Sequence, residues 1–228
     1  MKIGILQTGR SPDVLRGTHG DYNDMFVRFL DGEGFSFETY PVLDQVFPES
    51  AQTCDGWLIT GSKFGAYEDH PWIPPLEELI RQIFAAKVPL AGICFGHQII
   101  AQALGGKVEK FAGGWSLGAE RYEMNGYADG IGVLAWHQDQ VTELPGDAQV
   151  LASSQFCKYA ALAYGDTVFT IQPHPEFNAE FMADLIDARR EVLPDHVADK
   201  GLASLATPVD SDLIADKIKA LFKSGRLQ

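Results

Sequence analysis

A cysteine between two glycines, at the end of an apolar run, constrains the fold of this chain more than any other feature. Residues 92–98 read Gly-Ile-Cys-Phe-Gly-His-Gln and complete the apolar run 88–93. A buried strand that passes almost directly into a helix leaves Cys94 on a sharp turn, which we call the elbow (residues 92–96). Glycines two residues before and two after the cysteine permit such a turn and a close approach of helix to strand.

The elements around the elbow indicate an α/β fold with a mainly parallel sheet. Apolar strands and amphipathic helices alternate, and Pro74 and Pro75 suit the first turn of a helix. The strands are predicted at 2–7, 35–40, 57–60 and 88–93, and the helices at 22–30, 74–87, 96–104, 179–192 and 211–223.

Residues 106–171 show a different pattern, with short strands separated by Gly, Asn-Gly and Pro-Gly turn signals. We interpret this segment as a strand-rich insertion that returns to the sheet. Its strands are predicted at 107–111, 117–124, 133–136, 150–152, 159–163 and 168–171.

The elbow suits a nucleophilic thiol. A helix N-terminus behind Cys94 favours the thiolate, and the backbone N–H of Phe95 points into the same space, where it can stabilise an oxyanion. The alternative is a buried free cysteine, which is common in protein cores. The elbow glycines favour the nucleophile at Cys94, whereas Cys54 and Cys157 lack such glycines and are predicted to be inert core residues.

A cysteine nucleophile needs a base, and His174 is the strongest candidate among six histidines. It follows the short apolar strand 168–171, lies between Pro173 and Pro175, and precedes Glu176 by two residues. A carboxylate at that position can orient the imidazole. His-Pro-Glu alone is commonly just a loop, but together with the elbow it predicts a triad of Cys94, His174 and Glu176.

The elbow and His174-Pro175-Glu176 resemble the two signatures of class I, triad-type glutamine amidotransferases. The resemblance runs from the first strand to about residue 190. It implies a flavodoxin-like, doubly wound sheet with helices on both faces, formed by a single domain over residues 1–228 with a helical extension from about 191. It also implies that Cys94 forms a γ-glutamyl thioester with glutamine, that His174 transfers the proton and that Glu176 orients His174.

Further roles follow from the resemblance residue by residue. The loop after the third strand implies an oxyanion-hole N–H from Ser62, or from Gly61 if the register differs by one. Residues 136–139 look like the family's Ser-His-Gly-Asp segment, which contacts the substrate's amino and carboxylate groups, with Trp136 in place of the small residue. The implied substrate-binding residues are Gln98, Trp136, His137, Gln138 and Asp139.

Other chemistry is less favoured. His19 with Asp21, and His70 with Glu68 and Asp69, lack a third metal ligand at a convincing spacing, so we expect solvated loops there, no metal and no cofactor. His97 is expected to pack near the site rather than act as the base. Residues 65–72 follow the oxyanion loop and are expected to form part of the substrate mouth.

The net charge bears on the binding partners, and the cysteine count bears on the location. The chain carries 18 Lys and Arg against 31 Asp and Glu, a formal charge of −13. Electrostatic capture of nucleic acid or an anionic membrane is therefore not expected. Three cysteines without CxxC spacing favour a reducing, cytoplasmic location.

Three functions stay open at this point. The first is a free-standing enzyme that cleaves glutamine or γ-glutamyl compounds, as in the branch of the family that resembles the glutaminase part of GMP synthase and includes γ-glutamyl peptidases. The second is a glutaminase subunit that supplies ammonia to a synthase partner. The third is a non-catalytic binding or regulatory protein. A homo-oligomer is possible in each case, and an unrelated cysteine-elbow family is disfavoured by Gln98 and the late His-Pro-Glu.

Overall fold

The computed structural model describes residues 1–227, which form eleven strands and seven α-helices. The strands are β1 (Lys2–Leu6), β2 (Ser36–Tyr40), β3 (Gly56–Ile59), β4 (Leu90–Ile93), β5 (Lys107–Lys110), β6 (Ser116–Met124), β7 (Tyr127–His137), β8 (Asp139–Glu143), β9 (Ala148–Ser153), β10 (Ala161–Tyr164) and β11 (Val168–Ile171). The helices are α1 (Asp13–His19), α2 (Tyr22–Phe29), α3 (Ile73–Ala85), α4 (Phe95–Ala103), α5 (Ala179–Ala188), α6 (Asp195–Ser204) and α7 (Ser211–Ser224).

Nine strands form the main sheet in the order β2-β1-β3-β4-β11-β10-β9-β6-β7. The first five of these run parallel, and the other four extend the sheet in antiparallel pairs. Strands β5 and β8 form a small antiparallel sheet of their own. The expected α/β fold is confirmed, and the insertion between α4 and β11 contains six strands, which are the five predicted there and the additional strand β8.

Helices cover both faces of the sheet. On one face, α3 and α4 pack against side chains such as Leu6 and Ile59. On the other, α2 and α7 pack against Ile3 and Ile5. A third cluster joins α1, α5 and α6 to the β6–β7 end of the sheet. The alternation of side chains along β1 therefore supplies both cores from one strand.

Three elements were not expected from the sequence. Helix α1 contains Gly17 and buries only Leu15, and α6 buries only Ala198 and Gly201. Strand β8 is mostly polar, with only its second and third residues buried. Each element lacks the apolar periodicity on which helix and strand predictions depend. The predicted helix 179–192 ends earlier, at Ala188, and is followed by a short 3-10 turn over Arg190–Val192.

The C-terminal tail packs on the main sheet. In α6, Gly201 touches Leu117 so closely that an added Cβ would lie 1.9 Å from Cδ2 of the leucine. Beyond α6, the chain meets the edge strand β7. The N–H of Asp210 donates to the carbonyl of Gly132 at 2.6 Å, and the N–H of Gly132 donates to the Asp210 carboxylate at 2.7 Å.

None of the helices within residues 1–227 is both long enough and apolar enough to cross a bilayer.

Candidate active site

The elbow lies at the carboxyl edge of the parallel strands, between β4 and α4. Cys94 has a φ of 54°, which is uncommon for a residue with a side chain and is stabilised only when its surroundings hold it. The N–H of Cys94 donates to the carbonyl of Ile171 at 2.9 Å. The thiol is thereby placed at the N-terminus of α4, where the elbow pattern predicts it.

Both elbow glycines are needed for close packing. A Cβ on Gly96 would lie 2.4 Å from the carbonyl oxygen of Ile59, and a Cβ on Gly92 would lie 2.7 Å from the carbonyl of Gly96. Any side chain at either position would push α4 away from the sheet. The two glycines act through steric contact, since neither has a positive φ.

His174 and Glu176 form a buried pair just after β11. Nδ1 of His174 lies 2.8 Å from Oε1 of Glu176, and the two side chains are only 5% and 1% exposed. The imidazole also stacks on Phe177, with ring centroids 4.1 Å apart and planes inclined by 6°. These contacts fix both the position and the plane of the imidazole, and leave Nε2 as its free nitrogen.

The electrostatic setting of His174 favours the protonated imidazole. Burial alone lowers the pKa of His174. The negative charges of Glu176 and of an ionised Cys94, together with hydrogen bonds to both, raise this pKa to about 10. An imidazolium paired with a thiolate is the arrangement that activates cysteine nucleophiles.

The loop after β3 lies against the imidazole. A Cβ on Gly61 would be 2.8 Å from Cε1 of His174 and 3.7 Å from Cβ of Cys94. The loop after β1 holds this segment, because the Thr8 hydroxyl donates to the carbonyl of Gly61 at 3.2 Å and accepts or donates a bond with the Thr60 hydroxyl. The peptide between residues 61 and 62 is therefore fixed beside the thiol.

Two backbone N–H groups near Cys94 are free. The side chain of Ser62 is engaged, since its hydroxyl donates to the carbonyl of Thr8 at 2.8 Å, but its backbone N–H has no acceptor within residues 1–227. The N–H of Phe95, in the first turn of α4, has none in that range either, as is usual for the first turn of a helix. The expected Ser62 and Phe95 donors are thus both available.

The segment 136–139 borders the thiol from the opposite side. Sγ of Cys94 lies 3.9 Å from the carbonyl oxygen of Trp136. Gln98 braces this segment, because its Nε2 donates to the carbonyl of Asp139 at 2.9 Å and to Oε1 of Gln172 at 3.1 Å. His137 is buried, and burial lowers its pKa to about 3. A neutral His137 contributes a hydrogen bond to the carbonyl of Asp139 and no charge.

The other histidines are engaged elsewhere. His97 is fully buried, shares a 2.8 Å hydrogen bond with the Thr170 hydroxyl, and has a pKa that burial lowers to about 3. The expectation of a solvated loop at His19 is wrong: it ends α1, is 8% exposed and contacts Asp184 at 2.7 Å. Asp21 caps α2.

His70 is only partly solvated, because it stacks on Trp72 and contacts Glu68 at 2.7 Å. In residues 1–227, no group of three or more His, Cys, Asp or Glu side chains is placed to hold a metal ion. Cys54 and Cys157 are buried, and burial raises the pKa of Cys157 to about 12.

A cavity of about 280 Å³ opens in front of Cys94. Predicted site residues line part of it, including Ser62, Gln98 and residues 136–139, and so does Tyr67 of the expected mouth loop. Four further lining residues could not be predicted, because they are remote along the chain from every motif. These are Lys110, Trp115, Arg189 and Val192.

Comparison with known proteins identifies the family. The model of "Glutamine amidotransferase class-I" matches residues 20–186, and the chain therefore belongs to that family. γ-Glutamyl peptidase 3 of Arabidopsis thaliana is 30% identical over 230 residues, which cover 93% of this chain and 92% of the relative. This membership makes the chain an amidohydrolase enzyme of the glutamine amidotransferase type.

Two further similarities extend this result. A glutamine-hydrolysing GMP synthase of Bacteroides fragilis is 28% identical over 188 residues, which cover 74% of this chain but only 36% of the synthase. The crystal structure of a glutamine amidotransferase from Methylobacillus flagellatus superposes with a TM-score of 0.76 at 23% identity, covering 100% of this chain and 95% of that one. The latter similarity supports the flavodoxin-like fold.

Proposed function

We propose that this chain is a free-standing hydrolase of γ-glutamyl amide bonds that works through a thioester on Cys94. One observation carries the proposal: the Cys94 thiol, the buried His174–Glu176 pair and two free backbone N–H groups meet at one edge of the sheet. Nucleophile, base, orienting carboxylate and oxyanion donors are the groups that acyl transfer requires.

In the first half of the reaction, the proton of the Cys94 thiol already resides on Nε2 of His174, as the raised pKa of His174 favours, and the thiolate sulfur attacks the δ-carbon of the γ-glutamyl group. The oxygen that becomes negative accepts hydrogen bonds from the N–H groups of Phe95 and Ser62. His174 then gives its proton to the leaving nitrogen, the C–N bond breaks, and the γ-glutamyl thioester remains. Glu176 keeps Nδ1 occupied and stabilises the imidazolium.

In the second half, a water molecule attacks the thioester and passes its proton to Nε2 of His174. The C–S bond breaks, glutamate leaves, and the Cys94 thiolate and the His174 imidazolium are restored. The segment of residues 136–139, with Gln98 behind it, is placed to hold the amino and carboxylate groups of the glutamyl portion.

Coverage of the relatives supports the free-standing role. The chain spans nearly the whole of the γ-glutamyl peptidase, but only about a third of the GMP synthase. A subunit that delivers ammonia to a separate synthase is the alternative, and the similarity to the glutaminase part of GMP synthase is the observation in its favour.

Glutamate release from glutamine and from a panel of γ-glutamyl dipeptides by the purified chain tests the proposal. We expect turnover without a second protein, a transient mass increase of one γ-glutamyl group on Cys94, and loss of both in Cys94→Ala. Cys54→Ala, which removes another buried thiol, is the matched control and should keep both. Turnover that needs an added synthase would favour the subunit, and full activity in Cys94→Ala would refute the mechanism.

A further inference from the structure

The cavity in front of Cys94 has an apolar wall that the release of ammonia does not require. Trp115 and Trp136 meet edge to face, with ring centroids 6.1 Å apart, and both line the cavity together with Phe64. Ammonia is no larger than a methyl group, whereas aromatic walls of this kind bind bulky apolar groups. The wall therefore has the character of a site for a larger leaving group.

The same cavity is lined by three cations that form no salt bridge within the described residues. Lys63, Lys110 and Arg189 make no salt bridge with any residue from 1 to 227, although the chain as a whole carries a charge of −13. Their neighbours differ: Arg190 pairs with Asp199 at 2.5 Å, and Lys107 pairs with Glu109 at 3.0 Å. Unpaired cations around a pocket attract an anionic substrate.

The carboxylates of this cavity offset these cations only in part. In the part of the chain that the structure describes, the lining contains three cations but only two carboxylates, Glu68 and Asp139. Glu68 is bonded to His70 at 2.7 Å. Asp139 is half-buried beside Tyr67; burial raises its pKa, and the nearby charge of Lys110 lowers it. Positive charge at the cavity thus exceeds negative charge, and an anionic group on the substrate meets a favourable field.

Part of this wall comes from outside the matched family region. Arg189 and Val192 line the cavity, and both lie beyond residue 186, where the family match ends. They follow α5, in the segment that leads into α6. A wall contributed by this segment can set the choice of leaving group independently of the triad.

We propose that the outer part of the cavity binds the leaving group as an amino acid with a bulky apolar side chain and a free carboxylate, so that the preferred substrates are γ-glutamyl dipeptides of that kind. Trp115 and Phe64 contact the side chain, and Arg189 with Lys110 meets the carboxylate. This inference rests on the proposed function, because the dipeptide must first place its γ-glutamyl carbonyl at Cys94.

Matched substrates test each half of this inference. We expect kcat/KM for γ-glutamyl-phenylalanine to exceed that for γ-glutamyl-alanine by about 10-fold or more, the usual effect of a filled apolar pocket. Replacing the free carboxylate by an amide, in γ-glutamyl-phenylalaninamide, should lower kcat/KM by about 5-fold at low salt and by less at high salt.

Single substitutions test which residues cause the preference for a bulky side chain and the preference for a free carboxylate. Trp115→Leu should reduce the preference for phenylalanine over alanine, and Arg189→Gln should reduce the preference for the free carboxylate over the amide. Lys158→Gln removes an exposed lysine that lacks a salt bridge and lies outside the cavity, and it should change neither preference. Equal kcat/KM values for all three dipeptides in the unmodified chain would overturn the inference and leave the proposed function standing.

Binding separates the two proposals further. Calorimetric titration of intact dipeptides into Cys94→Ala should give the same order of affinities without turnover. If Cys94→Ala binds the dipeptides in that order but the unmodified chain cleaves none of them, the leaving-group site is supported and the proposed hydrolase is overturned. Absence of both binding preference and cleavage would overturn both.

Discussion

Gly61 and His174 touch across the active site: a Cβ atom on Gly61 would lie 2.8 Å from Cε1 of the imidazole. Such a distance is shorter than carbon atoms adopt without a shift. The loop after β3 and the loop after β11 are therefore fitted to one another at the site where the imidazole must reach the thiol. The proposed oxyanion donor and the proposed base therefore share one packing constraint.

Gly61→Ala should lower activity while leaving the fold intact. The added methyl group must displace the imidazole or the oxyanion loop, and a displacement of about 1 Å costs on the order of 100-fold in rate. We expect kcat/KM for γ-glutamyl substrates to fall by about that factor, with an unchanged circular dichroism spectrum. Gly146→Ala is the control, because a Cβ there has no atom within 4 Å. Equal losses in the two variants would contradict this explanation.

Glu176→Gln tests the orienting carboxylate. The substitution keeps the shape of the side chain but removes the charge that stabilises the imidazolium and selects its orientation. We expect kcat to fall by about 100-fold or more, and the pKa of His174, read from the pH dependence of kcat/KM, to fall as well. Glu180→Gln, at an exposed position on α5, should do neither. A Glu176→Gln variant with unchanged rate and pH profile would exclude the orienting role.

The raised pKa of His174 also predicts how stability depends on pH. Since its folded-state pKa of about 10 exceeds the unfolded value of about 6.5, protonation of His174 stabilises the fold most below the unfolded value. This contribution is lost as the pH rises towards 10. Urea unfolding of the unmodified chain and of His174→Gln should give a larger difference in unfolding free energy at pH 6 than at pH 9.5. A constant difference for His174→Gln across this pH range would refute the shift.

Helix α7 is predicted to contribute strongly to the stability of the sheet. Phe222 is fully buried and packs edge to face on Phe35, with centroids 6.2 Å apart. Phe222→Ala should lower the unfolding free energy by about 3–5 kcal/mol through lost contacts and a cavity. Leu213→Ala, on the same helix but 37% exposed, should change it by about 0.5 kcal/mol. Comparable losses from both would show that α7 is not part of the core.

The elbow was predictable from the sequence because its determinants are local. Gly92 and Gly96 lie within two residues of Cys94, and an apolar strand precedes them directly, so a short window contains the whole signal. Helix α6 gives no such signal, since its buried face consists of Ala198 and Gly201, whose small side chains create no hydrophobic period. Its position depends on the close contact of Gly201 with Leu117, which only the tertiary structure reveals.

The walls of the cavity were not predictable for a different reason. Trp115 precedes β6, Lys110 ends β5, and Arg189 follows α5. The residues come from separate elements that meet only once the insertion has folded back on the sheet. The residues of the candidate triad lie at strand ends, which short sequence motifs can identify. The residues of the proposed leaving-group wall are brought together only by the topology of the fold.

The contact between Asp210 and Gly132 bears on how this protein behaves in a crowded solution. A strand at the edge of a sheet offers unpaired N–H and C=O groups to any other extended chain, and this is a route to aggregation. Here a single residue of the tail occupies both groups of Gly132, in the middle of β7. Release of the tail would therefore leave the N–H and C=O of Gly132 open to intermolecular β-pairing, which the tail blocks at this position.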